Sequence, residues 1–282
     1  MHKQDSAVRV NSDRHSLLAF FWAIPIGLLG GLMGLGGAEF RLPVLAGILH
    51  YPVRQAVPIN LAVSLVTIAA FLAIRGSTLS FASVVPFLPA IFALIAGAIV
   101  TAFVGATLSA KLSNEQLEQI VLVLLVAIGL ALIVEGFLPQ RLPALLPAAL
   151  FWWIGAGILF GLAIGLVSSL LGVAGGEIII PTLIFAFGAD IKTAGTASLL
   201  VSLPTVLVGL LKYSSQGAFA DRTSISRTIA PMGIGSVIGA IAGGLLVGLI
   251  PAAILKIMLG VILNISAFKV FHTTRLQVKH DR

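Results

Sequence analysis

Apolar residues run along this chain in eight long blocks, 17–36, 56–75, 82–108, 117–138, 148–172, 193–212, 229–250 and 252–272, parted by short polar stretches. Each is close to the roughly 20 residues an α-helix needs to cross about 30 Å of hydrocarbon. Two further apolar pieces, 40–49 and 178–188, are shorter. At about 1.5 Å per residue they reach only some 15–17 Å, half of a membrane. Both follow directly on a glycine-rich interruption. Broken backbone at membrane depth is tolerated only where it is enclosed by protein or lines a water-filled cavity. The pattern predicts an all-α, polytopic transmembrane bundle of about eight spans plus two short half-membrane helices.

The interruptions are copies of each other. Gly27-Leu-Leu-Gly-Gly-Leu-Met-Gly34-Leu-Gly36-Gly37-Ala-Glu39-Phe-Arg41-Leu-Pro43 aligns without a gap on Gly165-Leu-Val-Ser-Ser-Leu-Leu-Gly172-Val-Ala-Gly175-Gly176-Glu177-Ile-Ile-Ile-Pro181, 138 residues later. Over 27–64 and 165–202 there are 12 identities in 38 positions, and they include glycine, glutamate and proline as well as common apolar residues. The chain is therefore expected to be a duplication: a tail at 1–15, a first transmembrane repeat at 16–140, a second at 141–272, and a tail at 273–282. Duplicated halves that each break a membrane helix with glycine are the usual trace of a transporter with its site between the repeats.

Composition fixes the solvent. Hydrophobic residues make up 59% of the chain and charged ones 10%, against roughly 25% charged in a soluble domain. So much apolar surface needs lipid around it, and the net charge of +7 reads as membrane orientation, not nucleic-acid binding. With eight spans and a cytoplasmic N-terminus, 12 of the 17 Lys and Arg residues fall inside, and Arg41, Arg54, Lys111, Lys192 and Lys256 fall outside or buried. That bias places both termini in the cytoplasm. Segment length favours eight spans and parallel repeats; ten spans would make the repeats inverted, with the same charge count. Small-residue stripes at Gly157/Gly161/Gly165 and Gly235/Gly239/Gly243, matched by Ala19/Ala23/Gly27 and Gly97/Thr101/Gly105, are packing seams where helix backbones approach.

Three groups of residues carry candidate chemistry. The glycines Gly34, Gly36, Gly37, Gly172, Gly175 and Gly176 free the backbone to break, and Pro43 and Pro181 suit the first turn of a new helix. Such a helix start offers unpaired N–H groups and a positive dipole end to an anion. Glu39 and Glu177 are carboxylates at membrane depth, which cost several kcal/mol unless paired, protonated or wetted; they are candidates for proton coupling or gating, or for capping their helices. Arg41 adds a charge to the first copy where the second has Ile179. Asn60, Ser64 and Thr67 lie on one helix face, repeated by Ser198, Ser202 and Thr205 with Thr196 nearby, and hydroxyls so placed contact a small oxyanion or bond their own helix. Arg54 and Lys192 precede these helices and either steer anions or mark the water interface. Cysteine is absent, the five histidines lie at ends and loops, and no metal cage, catalytic triad or nucleotide loop is present, so no cofactor, metal or enzymatic activity is expected.

The doubled motif, Gly34-Leu-Gly-Gly-Ala-Glu-Phe-Arg-Leu-Pro43-Val-Leu and Gly172-Val-Ala-Gly-Gly-Glu-Ile-Ile-Ile-Pro181-Thr-Leu, each followed by a basic residue and a small-polar helix start (Arg54-Gln-Ala56 and Lys192-Thr-Ala194), resembles the TauE/SafE sulfite exporter family. Ala38 and Ala174 replace glycines of the family's fuller run. The resemblance implies a bacterial inner-membrane permease for sulfite, sulfonates or related small organic anions. The expected partners are that anion and the lipid bilayer, without nucleic acid; homo-oligomer formation stays open. An anion channel of the same fold and a non-transporting scaffold or assembly subunit are the alternatives.

Overall fold

The computed structural model describes residues 2–33, 36–78, 81–137, 144–220 and 225–246, with scattered positions from 251 to 265. The helices are α1 (His2–Met33), α2 (Ala38–Gly47), α3 (Val53–Thr78), α4 (Leu88–Lys111), α5 (Asn114–Phe137), α6 (Leu150–Leu171), α7 (Gly176–Pro181, extended by a wider turn over Thr182–Ala186), α8 (Ile191–Ser215) and α9 (Ala230–Leu245). Among the described residues seven stretches are long and apolar enough to cross a membrane, and large side chains such as Phe92, Phe137, Phe151 and Leu211 stand exposed on their outer faces. The expected last span, 252–272, and the C-terminal tail lie largely outside the described residues.

The two short helices turn back on the long ones before them. After α1 ends at Met33, a Cβ placed on Gly37 would lie 2.9 Å from the Ile26 carbonyl oxygen, so the chain has reversed by two turns of helix. Beyond α2, Tyr51 packs edge-on against His15 at 5.6 Å between ring centres, back where the apolar part of α1 begins. The second half repeats this. Gly175 returns to Ile164 and Ser168, and Phe187 packs against Trp153 near the start of α6, 5.8 Å between rings. Each pair α1–α2 and α6–α7 thus folds as a hairpin that ends where it started.

Tight local chemistry fixes the turn from α4 to α5. Ser113 Oγ accepts from the Gln116 N–H and Gln116 Oε1 accepts from the Ser113 N–H, at 3.1 and 3.0 Å, a reciprocal capping box that starts α5. Arg54, at the beginning of α3, donates to Asn114 Oδ1 at 3.0 Å, to the Ala110 carbonyl at 3.2 Å and to the Leu112 carbonyl. It therefore ties off carbonyls that the end of α4 leaves without helical donors. The span count placed Arg54 and Lys111 outside or buried, and the structure places them otherwise. Because α1–α2 returns to its origin, both sit at the same end as Arg14.

The glycine stripes pair between halves. A methyl on Gly235, Gly239 or Gly243 of α9 would collide with the carbonyls of Phe20, Ile24 and Leu28 of α1 in that order. On α6, Gly157, Gly161 and Gly165 meet Ala93, Leu94 and Ala98 of α4 just as closely. Both pairings advance in the same direction, so α1 runs parallel to α9 and α4 parallel to α6. Since α4 ends beside the start of α3, which is also the start of α1, α1 and α6 run in opposite directions. The structure therefore departs from the parallel-repeat expectation. Segment length cannot distinguish a helix that crosses and continues from one that crosses and doubles back.

Candidate functional site

Each break is built by glycines in conformations that other residues avoid. Gly37 and Gly175, the residues preceding α2 and α7, have φ of 67° and 79°, and Gly172, which closes α6, has φ 67°. L-residues with a Cβ pay roughly 1–2 kcal/mol there. No side chain caps either short helix, so the first N–H groups of both are left to the space before them. Pro43 and Pro181 sit inside α2 and near the end of α7, not in the first turn as expected. There a proline removes the hydrogen bond that would satisfy the carbonyl four residues back, and those carbonyls belong to Glu39 and Glu177.

The two breaks meet. A Cβ on Gly36 would lie 3.5 Å from Ala174 Cβ, an ordinary packing distance. Residues 36–45 and 168–177 are all buried. Because α2 and α7 lead away from this contact toward opposite ends of the bundle, their N-termini face the same middle region. Glu39 is 0% and Glu177 5% exposed, and neither oxygen of either carboxylate has a hydrogen-bond partner among the described residues. Gly34 lies outside the described residues, and so does the side chain of Lys192.

Arg41 organises the first half. Its guanidinium is fully buried and donates through Nε to Asn60 Oδ1 at 3.1 Å, through Nη2 to Ser64 Oγ at 2.8 Å, and through Nη1 to Thr67 Oγ1 at 3.2 Å and Ser236 Oγ at 3.1 Å. Those side chains are themselves anchored. Asn60 Nδ2 donates to the Ala38 carbonyl at 2.7 Å, Ser64 to the Asn60 carbonyl at 2.7 Å, and Thr67 to the Val63 carbonyl at 2.8 Å. The stripe on α3 that sequence suggested as donors to an anion is thus occupied by the arginine. On α8 the matching residues Ser198, Ser202 and Thr205, with Thr196, are buried, Ile179 stands where a second arginine would lie, and Thr205 bonds back to the Val201 carbonyl at 2.8 Å.

Sequence reasoning missed Ser236. It lies one residue past Gly235 in a stripe of small residues, where a serine looks like one more spacer, and only the seam of α9 on α1 brings it to Arg41. Among the described residues no group of three or more His, Cys, Asp or Glu is placed to hold a metal ion.

One protein-family model, described as sulfite exporter TauE/SafE, matches the chain over residues 2–132 and 157–282, which takes in both breaks, the first hairpin and the second from residue 157 onward. No curated protein and no solved structure matches it. With nearly the whole chain covered, and with a bundle of apolar helices around a doubled glycine break, the protein belongs to the TauE/SafE family of sulfite exporters, membrane permeases of the multi-pass helical type.

Proposed function

We propose that this chain is a secondary transporter that carries a small anion, such as sulfite, an organosulfonate or a related sulfur-containing or carboxylate anion, across the bacterial inner membrane. The observation that carries this reading is the meeting of the two breaks at Gly36 and Ala174. It directs the uncapped starts of α2 and α7 at a common region. Helix N-termini of broken helices near mid-membrane are the means by which transporters hold anionic groups. In this reading Gly34, Gly36, Gly37, Gly172, Gly175 and Gly176 cradle the anion, Pro43 and Pro181 shape the two short helices, and Arg41, Thr196, Ser198 and Ser202 complete the cradle. Glu39 and Glu177 couple movement to protons or gate it. Asn60 and Ser64 act through Arg41.

The opposed directions of α1 and α6 suit an inverted-repeat carrier, in which the halves exchange roles as access alternates. The bundle end that holds Arg14, Arg54, Lys111, Lys212 and Arg227 is taken as cytoplasmic, because positive residues gather on that side. The N-terminus then lies in the cytoplasm, and the C-terminus is proposed to lie there as well. A channel of the same fold would lack coupling and would conduct without saturation.

The test is flux. Purified protein in proteoliposomes is expected to take up sulfite or methanesulfonate saturably, and to exchange internal for external anion. Empty liposomes and liposomes holding an unrelated membrane protein give the baseline. Uptake no greater than that baseline for every sulfur oxyanion and small carboxylate tried would refute the transport reading and leave the scaffold alternative standing.

A further inference from the structure

The buried Arg41 has four bonds, all to neutral oxygens from Asn60, Ser64, Thr67 and Ser236. A buried cation needs negative charge as well as hydrogen bonds, since its hydration is lost on folding. Glu39 lies within electrostatic reach of the guanidinium, but neither it nor Glu177 makes a hydrogen bond to it, so no carboxylate closes on the arginine as a direct ion pair. The second half has no equivalent. Offset by 138 residues, Ile179 stands for Arg41, Ser198 for Asn60 and Ala98 for Ser236. The glutamate of each break is thus repeated, but Arg41 is not.

We propose that the charge of the transported anion is met in one half only: Arg41, on the first-half helix α2, is its fixed counter-charge, and Asn60, Ser64, Thr67 and Ser236 are positioning residues that aim the guanidinium without touching the anion. The second half carries no residue equivalent to Arg41, Ile179 standing in its place. This deepens the transport reading and rests on it. The anion it selects is a small oxyanion whose charge one guanidinium can meet, of the sulfite or sulfonate type, held by a charge-assisted bond to the one Nη2 hydrogen that the four side-chain contacts leave over. Ser236 gives the clasp a further property: it reaches Arg41 from α9, the second-half helix that packs along α1, so the charge is held jointly by α2, α3 and an element of the other repeat.

Thr67 and Thr205 provide the discriminating pair. They are equivalent positions, each 1% exposed or less, and each bonds back to its own helix, to Val63 and Val201 at 2.8 Å. Only Thr67 also accepts from Arg41. Methanesulfonate binding to the full-length protein in detergent is measured by calorimetry, with melting temperature followed in parallel. Thr67→Val should weaken binding several-fold while Thr205→Val leaves it unchanged, although both lose the same intrahelical bond. Arg41→Ile, which installs the residue that the second half carries, should weaken it by about 10- to 100-fold, the worth of a charge-assisted bond, and Arg41→Lys should recover part of the loss. Equal effects of the two threonine variants, or wild-type affinity in a folded Arg41→Ile, would overturn the one-sided site. If Arg41→Ile fails to fold, the threonine comparison alone decides. Saturable flux with wild-type affinity in these variants defeats this inference and spares the transport reading; a wild-type protein that neither binds nor carries the probe defeats both.

Discussion

Replacing Gly37 with valine is expected to abolish anion flux, and replacing Gly175 with leucine to lower it severely, while the protein still inserts in the membrane. Both glycines hold φ in the left-handed region, at 67° and 79°, and β-branched side chains are especially poor there. The surroundings add a second penalty. A Cβ on Gly37 would meet the Ile26 carbonyl at 2.9 Å, and one on Gly175 would meet Ile164 Cγ2 at 3.1 Å. The flexible Ile164 side chain can give way, whereas the Ile26 backbone is fixed by α1. The expected order of severity is therefore Gly37→Val above Gly175→Leu, with Gly175→Ala mildest, since its cost is chiefly the roughly 1–2 kcal/mol of backbone strain. Initial uptake rates per inserted protein check this order. Wild-type rates in the two bulky variants would show that the breaks play no part in transport.

The second large effect concerns the carboxylates. Glu39 and Glu177 each lie in the first turn of a short helix, buried and without a partner. A carboxylate in that position costs several kcal/mol unless it takes a proton or faces water, and a group that exchanges protons while facing water from one side and then the other can couple them to solute. Glu39→Gln and Glu177→Gln keep shape and remove titration. In proteoliposomes with an imposed pH difference, the double variant is expected to lose accumulation, falling to the level reached with no gradient. Anion exchange at equal pH should persist, because exchange needs no net proton movement. Gradient-driven accumulation at the wild-type level in the double variant would assign the glutamates to helix-end stabilisation alone.

Much of this was legible in the chain because the residues involved are chemically costly. A glutamate and a glycine cluster repeated at one offset in apolar sequence have few structural excuses, so the breaks, the short helices and the two carboxylates could be placed before any coordinates. The small-residue stripes were legible for the same reason, but not their partners. Nothing in Gly157/Gly161/Gly165 says that α4 of the other half lies across it. The direction of the second half was illegible. The apolar stretch of α1 has the length of a full span, and its reversal after Met33 is expressed only in tertiary contacts such as Gly37 on Ile26 and Tyr51 on His15. That reversal also moved Arg54 and Lys111, which a span count puts outside or buried, to the end that holds Arg14. Asn60 and Ser64 carry a similar lesson. Their spacing marked a polar face of α3, but hydrogen-bonding capacity does not name its partner, and here the partner is Arg41.

The central claim, that the two breaks together form the anion's passage, is tested most directly by joining them. The chain contains no cysteine, so Gly36→Cys with Ala174→Cys creates the only thiol pair, at positions where the Cβ separation of 3.5 Å suits a disulfide. Oxidation should link the two halves at this point and stop methanesulfonate flux, and reduction should restore it. A linked protein, verified by mass spectrometry, that carries the anion at the rate of its reduced form would contradict the account.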